Sequence, residues 1–150
     1  MILFILVFGF GSCFGQETDV KSPARQVVTT FFEGFHKGDT LLMRSVMAEN
    51  TVMQTTFTDK EGNIRLTDGN ANQLLMAIAN RPSDLVWEER LLAYDEQMDG
   101  TLAHVWTPYE FWLNGTFSHC GANAFTLVKT SAGWKIIHLI DSRRTSDCQS

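Results

Sequence analysis

The stretch SHCGANAF, Ser118 to Phe125, sets His119 beside Cys120, and Glu110 stands upstream in TPYEFWL. Three chemistries use residues of these types. A thiolate can act as a nucleophile with an imidazole base, a histidine and a cysteine can share a metal, or a carboxylate and an imidazole can pass a proton. The first fails on geometry. Adjacent strand residues point to opposite faces, so the His119 and Cys120 side chains diverge. The second fails on spacing. The chain holds four histidines, far apart, with no His-x-x-x-His and no Cys-x-x-Cys, whereas zinc needs three or four ligands with a close pair on one element. No metal and no cofactor are expected.

The carboxylate–imidazole pair survives if the strands pair through tight turns. Asn114-Gly115 and Asp99-Gly100 lie between alternating apolar runs, the pattern of two-residue hairpin loops. Counting back from Asn114-Gly115 sets Glu110 opposite His119 and Tyr109 opposite Cys120. A carboxylate there would raise the histidine pKa and orient the ring as a base; as a plain cross-strand pair it would contribute a few tenths of a kcal/mol. The same register puts Trp106, Glu110, Trp112, His119, Asn123 and His138 on one face. His104 and His138 then flank Phe125. Apolar walls with a few convergent polar groups describe a small-molecule pocket. Pro108 is the weak point, because proline inside a strand often marks a bulge and a bulge exchanges the faces. Asp141 with Arg143 or Arg144 reads as an ion pair at the rim.

These strands belong to one domain. A chain of 150 residues, 44% apolar and 19% charged, builds a single globular core. Its net charge of −5 and the absence of basic runs argue against nucleic acid as a partner. SPARQVVTTFFEGFHKGD reads as a helix, with Ser22 as N-cap, Pro23 in the first turn, a Val27, Val28, Phe31, Phe32 and Phe35 face, and Gly38 as the stop. His36 suits the negative end of its dipole. A second helix is expected over Thr40 to Met47, then a hairpin through DKEGN, then a helix in ANQLLMAIAN. From Leu85 onward four strands form an antiparallel meander. The fold class is α+β: three N-terminal helices packed on a curved, mostly antiparallel sheet ending in a four-stranded meander. Both faces of the last three strands are apolar, so a second copy is expected on the face the helices leave open.

The first residues read differently. MILFILVFGFG is too short an apolar run to span a bilayer and has the length of a signal-peptide core. Residues 1–15 are expected to be a signal peptide, 16–22 an extension, 23–144 the domain and 145–150 a tail. The alternative is a lipid anchor on Cys13. Export, to the periplasm or beyond, leaves Cys120 and Cys148 in an oxidising compartment, where a disulfide between them is favoured over two free thiols and would hold the tail.

The order of elements, with FFEGFHKGDTLLM, AHVWTPYEF and GWKIIHLID, resembles the nuclear transport factor 2-like superfamily, over Pro23 to about Arg144. Within it, HCGANAF, GWKI and DSRR followed by a cysteine are similar to small exported proteins of Bacteroidetes-type bacteria labelled lumazine-binding. The resemblance implies a cone of curved sheet around helices. It implies no single activity, because that superfamily hosts isomerases, dehydratases, cyclases, hydrolases and binding modules. The expected role is binding of a small organic molecule in an apolar pocket, with a lyase- or isomerase-like enzyme using His119 and Glu110, or a structural dimerisation module, as the alternatives.

Overall fold

The computed structural model describes residues 21–148. The expected signal peptide and Cys13 lie outside them. Three helices, α1 (Pro23–Lys37), α2 (Thr40–Ser45) and α3 (Ala71–Ala79), accompany seven strands. The strands are β1 (Met47–Thr58), β2 (Ile64–Asn70), β3 (Trp87–Leu91), β4 (Asp95–Asp99), β5 (Leu102–Leu113), β6 (Thr116–Thr130) and β7 (Gly133–Arg144). They form one sheet in the order β2-β1-β7-β6-β5-β3, with β4 also on β5. Only β1 and β7 run parallel. The α+β class and the helix-on-sheet arrangement are as the sequence implies.

Local chemistry explains where the helices sit. Ser22 accepts from the Arg25 N–H at 3.0 Å, and Gly38 takes the left-handed conformation that closes α1. Asp39 caps α2 through the Leu42 N–H, and Asn70 with Gln73 makes a reciprocal capping box on α3. The α1 face enters the concave side of the sheet, where Phe31 and Phe32 meet Phe125 edge-on at 5.8 and 6.0 Å. Val105, Leu127, Ile136 and Met43 complete this core. The second helix ends at Ser45, two residues short of expectation, because Met47 already begins the strand that runs beside β7.

Two departures set the geometry of everything that follows. The segment Leu85–Met98 is not one strand but two, β3 and β4, pairing with opposite halves of β5. The break faces Pro108, whose carbonyl accepts from the Leu92 N–H at 2.9 Å and whose nitrogen has nothing to donate. Strand β5 itself keeps its alternation through the proline. The second departure is a pair of bulges. Ser118 is the extra residue between the Trp112–Phe117 and Phe111–His119 pairs, and Ile137 is extra between Leu127–Ile136 and Thr126–His138. Each moves the register one residue from that counted off the turns, as a bulge must.

Cys120 and Cys148 are bonded, with sulfurs 2.02 Å apart. Cys120 sits opposite Glu110 and Arg144 on the outer face, rather than opposite Tyr109 and Arg143. The next residue, Gly121, lies where β6 and β7 pinch: a Cβ there would stand 1.7 Å from the Ser142 carbonyl oxygen. Backbone cannot yield that far. Gly121→Ala is therefore expected to cost about 3 kcal/mol or more of unfolding free energy. Cys148→Ser, which opens a loop of sequence separation 28, is expected to cost roughly 3 kcal/mol through a freer unfolded chain. Urea denaturation measures both.

Candidate functional site

The corrected register lays the inward residues out in rows across β5, β6, β7 and β1. Val105, Phe125, Leu139 and Met53 form an apolar row under α1. The next row is polar: Thr107, Asn123, Asp141 and Thr55. Beyond it come Tyr109, Gly121, Arg143 and Phe57, and then Phe111 with His119. Strand β3 adds Glu89 opposite Phe111 and Trp87 opposite Leu113. Above these rows lies a cavity of about 410 Å³, walled by Phe31, Phe32, Phe35, Trp87, Phe111 and Leu139. The volume is that of a site for a small organic molecule.

Each acidic, basic, amide and hydroxyl side chain lining this cavity has a hydrogen-bond partner. Asn123 donates from Nδ2 to Glu89 Oε1 at 2.7 Å, and Thr107 Oγ1 lies 3.4 Å from the same nitrogen. Asp141 accepts on Oδ1 from Thr55 at 2.6 Å and on Oδ2 from Arg143 Nε at 2.8 Å. The Tyr109 hydroxyl, 3.3 Å from Asp141 Oδ2, donates mainly to the Ser142 carbonyl at 3.0 Å. His119 stacks on Phe111 with centroids 4.9 Å apart, and its Nδ1 is 3.1 Å from the Ser118 hydroxyl. At the far end of α1, His36 Nε2 accepts the Glu89 backbone N–H at 3.0 Å. That ring nitrogen is unprotonated, so His36 anchors β3 rather than answering the helix dipole as a cation.

Glu89 is the unusual group. It lines the cavity together with Phe31, Phe32, Phe35, Trp87 and Phe111, and desolvation in this setting pushes its pKa up from 4.5 to about 7. The Asn123 hydrogen bond opposes the shift and the charge of Asp141 adds to it. Burial also lowers the His119 pKa, with help from Arg143, so its imidazole is neutral at pH 7. The Tyr109 phenol is pushed up, first by burial and then by Asp141 and Glu89. The site thus holds a carboxyl balanced between its two states near neutrality, beside a carboxylate already satisfied by Thr55 and Arg143.

Of the residues singled out in the sequence, His119 and Asn123 line this cavity. Glu110 does not. It lies on the opposite face between Cys120 and Arg90, accepting from the Trp112 indole at 3.1 Å, so it cannot act with His119. Trp112 is outside as well, with the Arg90 guanidinium 4.2 Å from its ring centroid. Trp106 is outside and 44% exposed. His104 and His138 flank Thr126 on that outer face, His138 bonding Gln54 at 3.0 Å, while Phe125 sits between Val105 and Leu139. One cause covers all five, the bulges at Ser118 and Ile137 that exchange the faces. Glu89 was missed altogether, although a carboxylate between Trp87 and Leu91 at strand spacing was a signal for it. Among the described residues no group of three or more His, Cys, Asp or Glu could hold a metal ion.

Solved structures share this architecture. A candidate dehydratase of the nuclear transport factor 2-like family from Streptomyces avermitilis aligns with a TM-score of 0.62 at 15% identity, over 81% of this chain and 94% of that one. A nuclear transport factor 2-like protein with a cystatin-like fold from Novosphingobium aromaticivorans gives 0.60 at 15%, over 83% and 82%. A candidate ketosteroid isomerase from Shewanella frigidimarina gives 0.57 at 20%, over 83% and 98%. The fold is nuclear transport factor 2-like. No family model matches the sequence and no curated protein matches it. The lumazine-binding resemblance has no counterpart in the three structures.

Because the folded chain holds the Glu89 proton more tightly than the unfolded chain, native stability falls as pH rises from 4.5 to about 7. The loss from this group is about 3 kcal/mol between pH 4 and pH 8. Glu89→Gln keeps the shape and cannot ionise. Its stability relative to the native protein is expected to improve with pH by that amount, as read from urea midpoints at the two ends; parallel pH profiles would remove the assignment.

Proposed function

We propose that the protein binds a small, largely apolar organic molecule in the cavity under α1, and that Glu89 moves a proton on that molecule. The observation that carries this reading is a carboxyl raised to about 7 inside an apolar cavity. A base whose pKa lies near the working pH is available in both protonation states, and desolvation makes its anion more reactive. His119, neutral and half-buried, replaces Glu110 as the donor or acceptor facing the ligand, and it acts with Glu89 rather than with Glu110. Asn123 holds the Glu89 carboxyl in place. The names of two structural neighbours, a candidate dehydratase and a candidate isomerase, agree with lyase- or isomerase-like chemistry and transfer no residue at 15–20% identity.

The setting of this activity is read from the same residues. A disulfide between Cys120 and Cys148 suits an oxidising compartment, in keeping with export through the apolar leader. The outer face of the sheet, with Trp106, Val52 and Leu92 exposed, suits a second copy of the chain. An open cavity weighs against a purely structural module.

A nitrobenzisoxazole tests the chemistry without knowledge of the natural substrate. A base removes its ring C–H proton, the N–O bond breaks, and the electron pair ends on a coloured phenolate. Turnover is expected to rise with pH as Glu89 ionises near pH 7, and to fall at least about a hundredfold in Glu89→Gln. If the variant matches the native protein, Glu89 is not the base. For assembly, light scattering on the mature chain is expected to give a dimer, with Trp106→Glu shifting it to monomer.

A further inference from the structure

The cavity has a second compartment outside it. Thr55, Phe57, Thr67, Ser118, Arg144 and Thr145 line an outer cleft of about 480 Å³, and His119 and Arg143 line both spaces. In a chain of net charge −5, this cleft carries two arginines and a histidine and no carboxylate. Hydroxyl groups make up much of the rest of its wall. Arg143 spends one nitrogen, Nε, on Asp141, and its guanidinium makes no other hydrogen bond among the described residues. Its side chain is 53% exposed, whereas that of Asp141 is 13% exposed. Arg144 gives only Nε, to the Asp147 carbonyl at 3.4 Å.

The register explains why this charge sits at the entrance. Gly121 lies between Tyr109 and Arg143 in their row, so no β6 side chain fills the space beside the guanidinium. Asp141 takes up one edge of Arg143, and the Thr55 and Arg143 donors together leave the aspartate satisfied rather than repelling. A planar guanidinium with unused donors is matched by a carboxylate, which can accept two parallel hydrogen bonds.

We infer that the ligand is an apolar carboxylic acid, its hydrocarbon body in the inner cavity and its carboxylate in the outer cleft on Arg143. The inference rests on the binding reading above and narrows it to one class. It also assigns the two ends: the carboxylate stays at the entrance, and the part of the molecule that Glu89 meets is the buried body.

Naphthylacetate and its primary amide, which match in shape and differ in charge, test the inference through quenching of tryptophan fluorescence on the full mature chain. The acid is expected to bind about tenfold tighter than the amide at low salt, with the gap closing as salt rises. Arg143→Met should abolish the gap, whereas Arg144→Gln, on the outer face beside Cys120, should leave most of it. Because Arg143→Met removes the partner of Asp141, Arg143→Lys serves as its folded control and should retain part of the preference. Equal binding of acid and amide overturns the carboxylate assignment and leaves the apolar-ligand reading standing. If neither compound binds, both readings fall.

Discussion

An apolar sheet face can tolerate a row of polar residues only if they satisfy one another, because water is excluded and each unpaired group costs the full desolvation penalty. Thr107, Asn123, Asp141 and Thr55 form such a row across four strands, and its hydrogen bonds run along it and out to Glu89, Tyr109 and Arg143. The cavity depends on this arrangement. Without Asn123 to receive it, the Glu89 carboxyl would be a buried acid with no oriented partner. Without Thr55 and Arg143, Asp141 would be a second destabilising charge within the same apolar chamber. The row is what lets the molecule keep ionisable groups in its interior and still fold.

Much of the fold was legible. Ser22, Pro23 and Gly38 mark α1 by chemistry that acts within a few residues, and the Phe31, Phe32 and Phe35 spacing states which face is buried. Asn114-Gly115 forms the expected two-residue loop, and the other hairpin turns one residue later than expected, on Gly100 and Thr101. The site was much less legible, for a reason of arithmetic rather than chemistry. A bulge adds one residue and reverses every side chain beyond it, yet Ser118 and Ile137 carry no local mark of that role. Pro108, which does carry a mark, breaks the neighbouring edge strand and leaves its own strand's alternation intact. So His119 and Asn123 were correctly placed on one face, while Glu110, Trp106, Trp112, His104 and His138 were assigned to a cavity that lies on the other side.

Glu89 is hidden for a different reason. It lies on a short strand, β3, within a run whose pattern predicts one longer strand. Its character comes from partners far away in sequence: His36 on its backbone, Asn123 on its carboxyl, and the α1 aromatics around it. A pKa is a property of the assembled environment, and no window of neighbouring residues contains that environment.

The strand order carries a consequence for how the molecule comes to exist. Strand β7, the last of the described strands in chain order, lies between β6 and β1 at the centre of the sheet. Until residues 133–144 are available, the β1–β2 hairpin has no edge to join, and Asp141 and Arg143 are absent from the chamber. Pairing of β1 with β7 spans most of the chain and pays its loop-closure entropy before any contact repays it. The middle of the sheet is therefore complete only when β1, near the start of the domain, meets β7 at its end. A sheet built on so distant a pairing folds slowly, and its apolar face stays open to aggregation until that pairing is made.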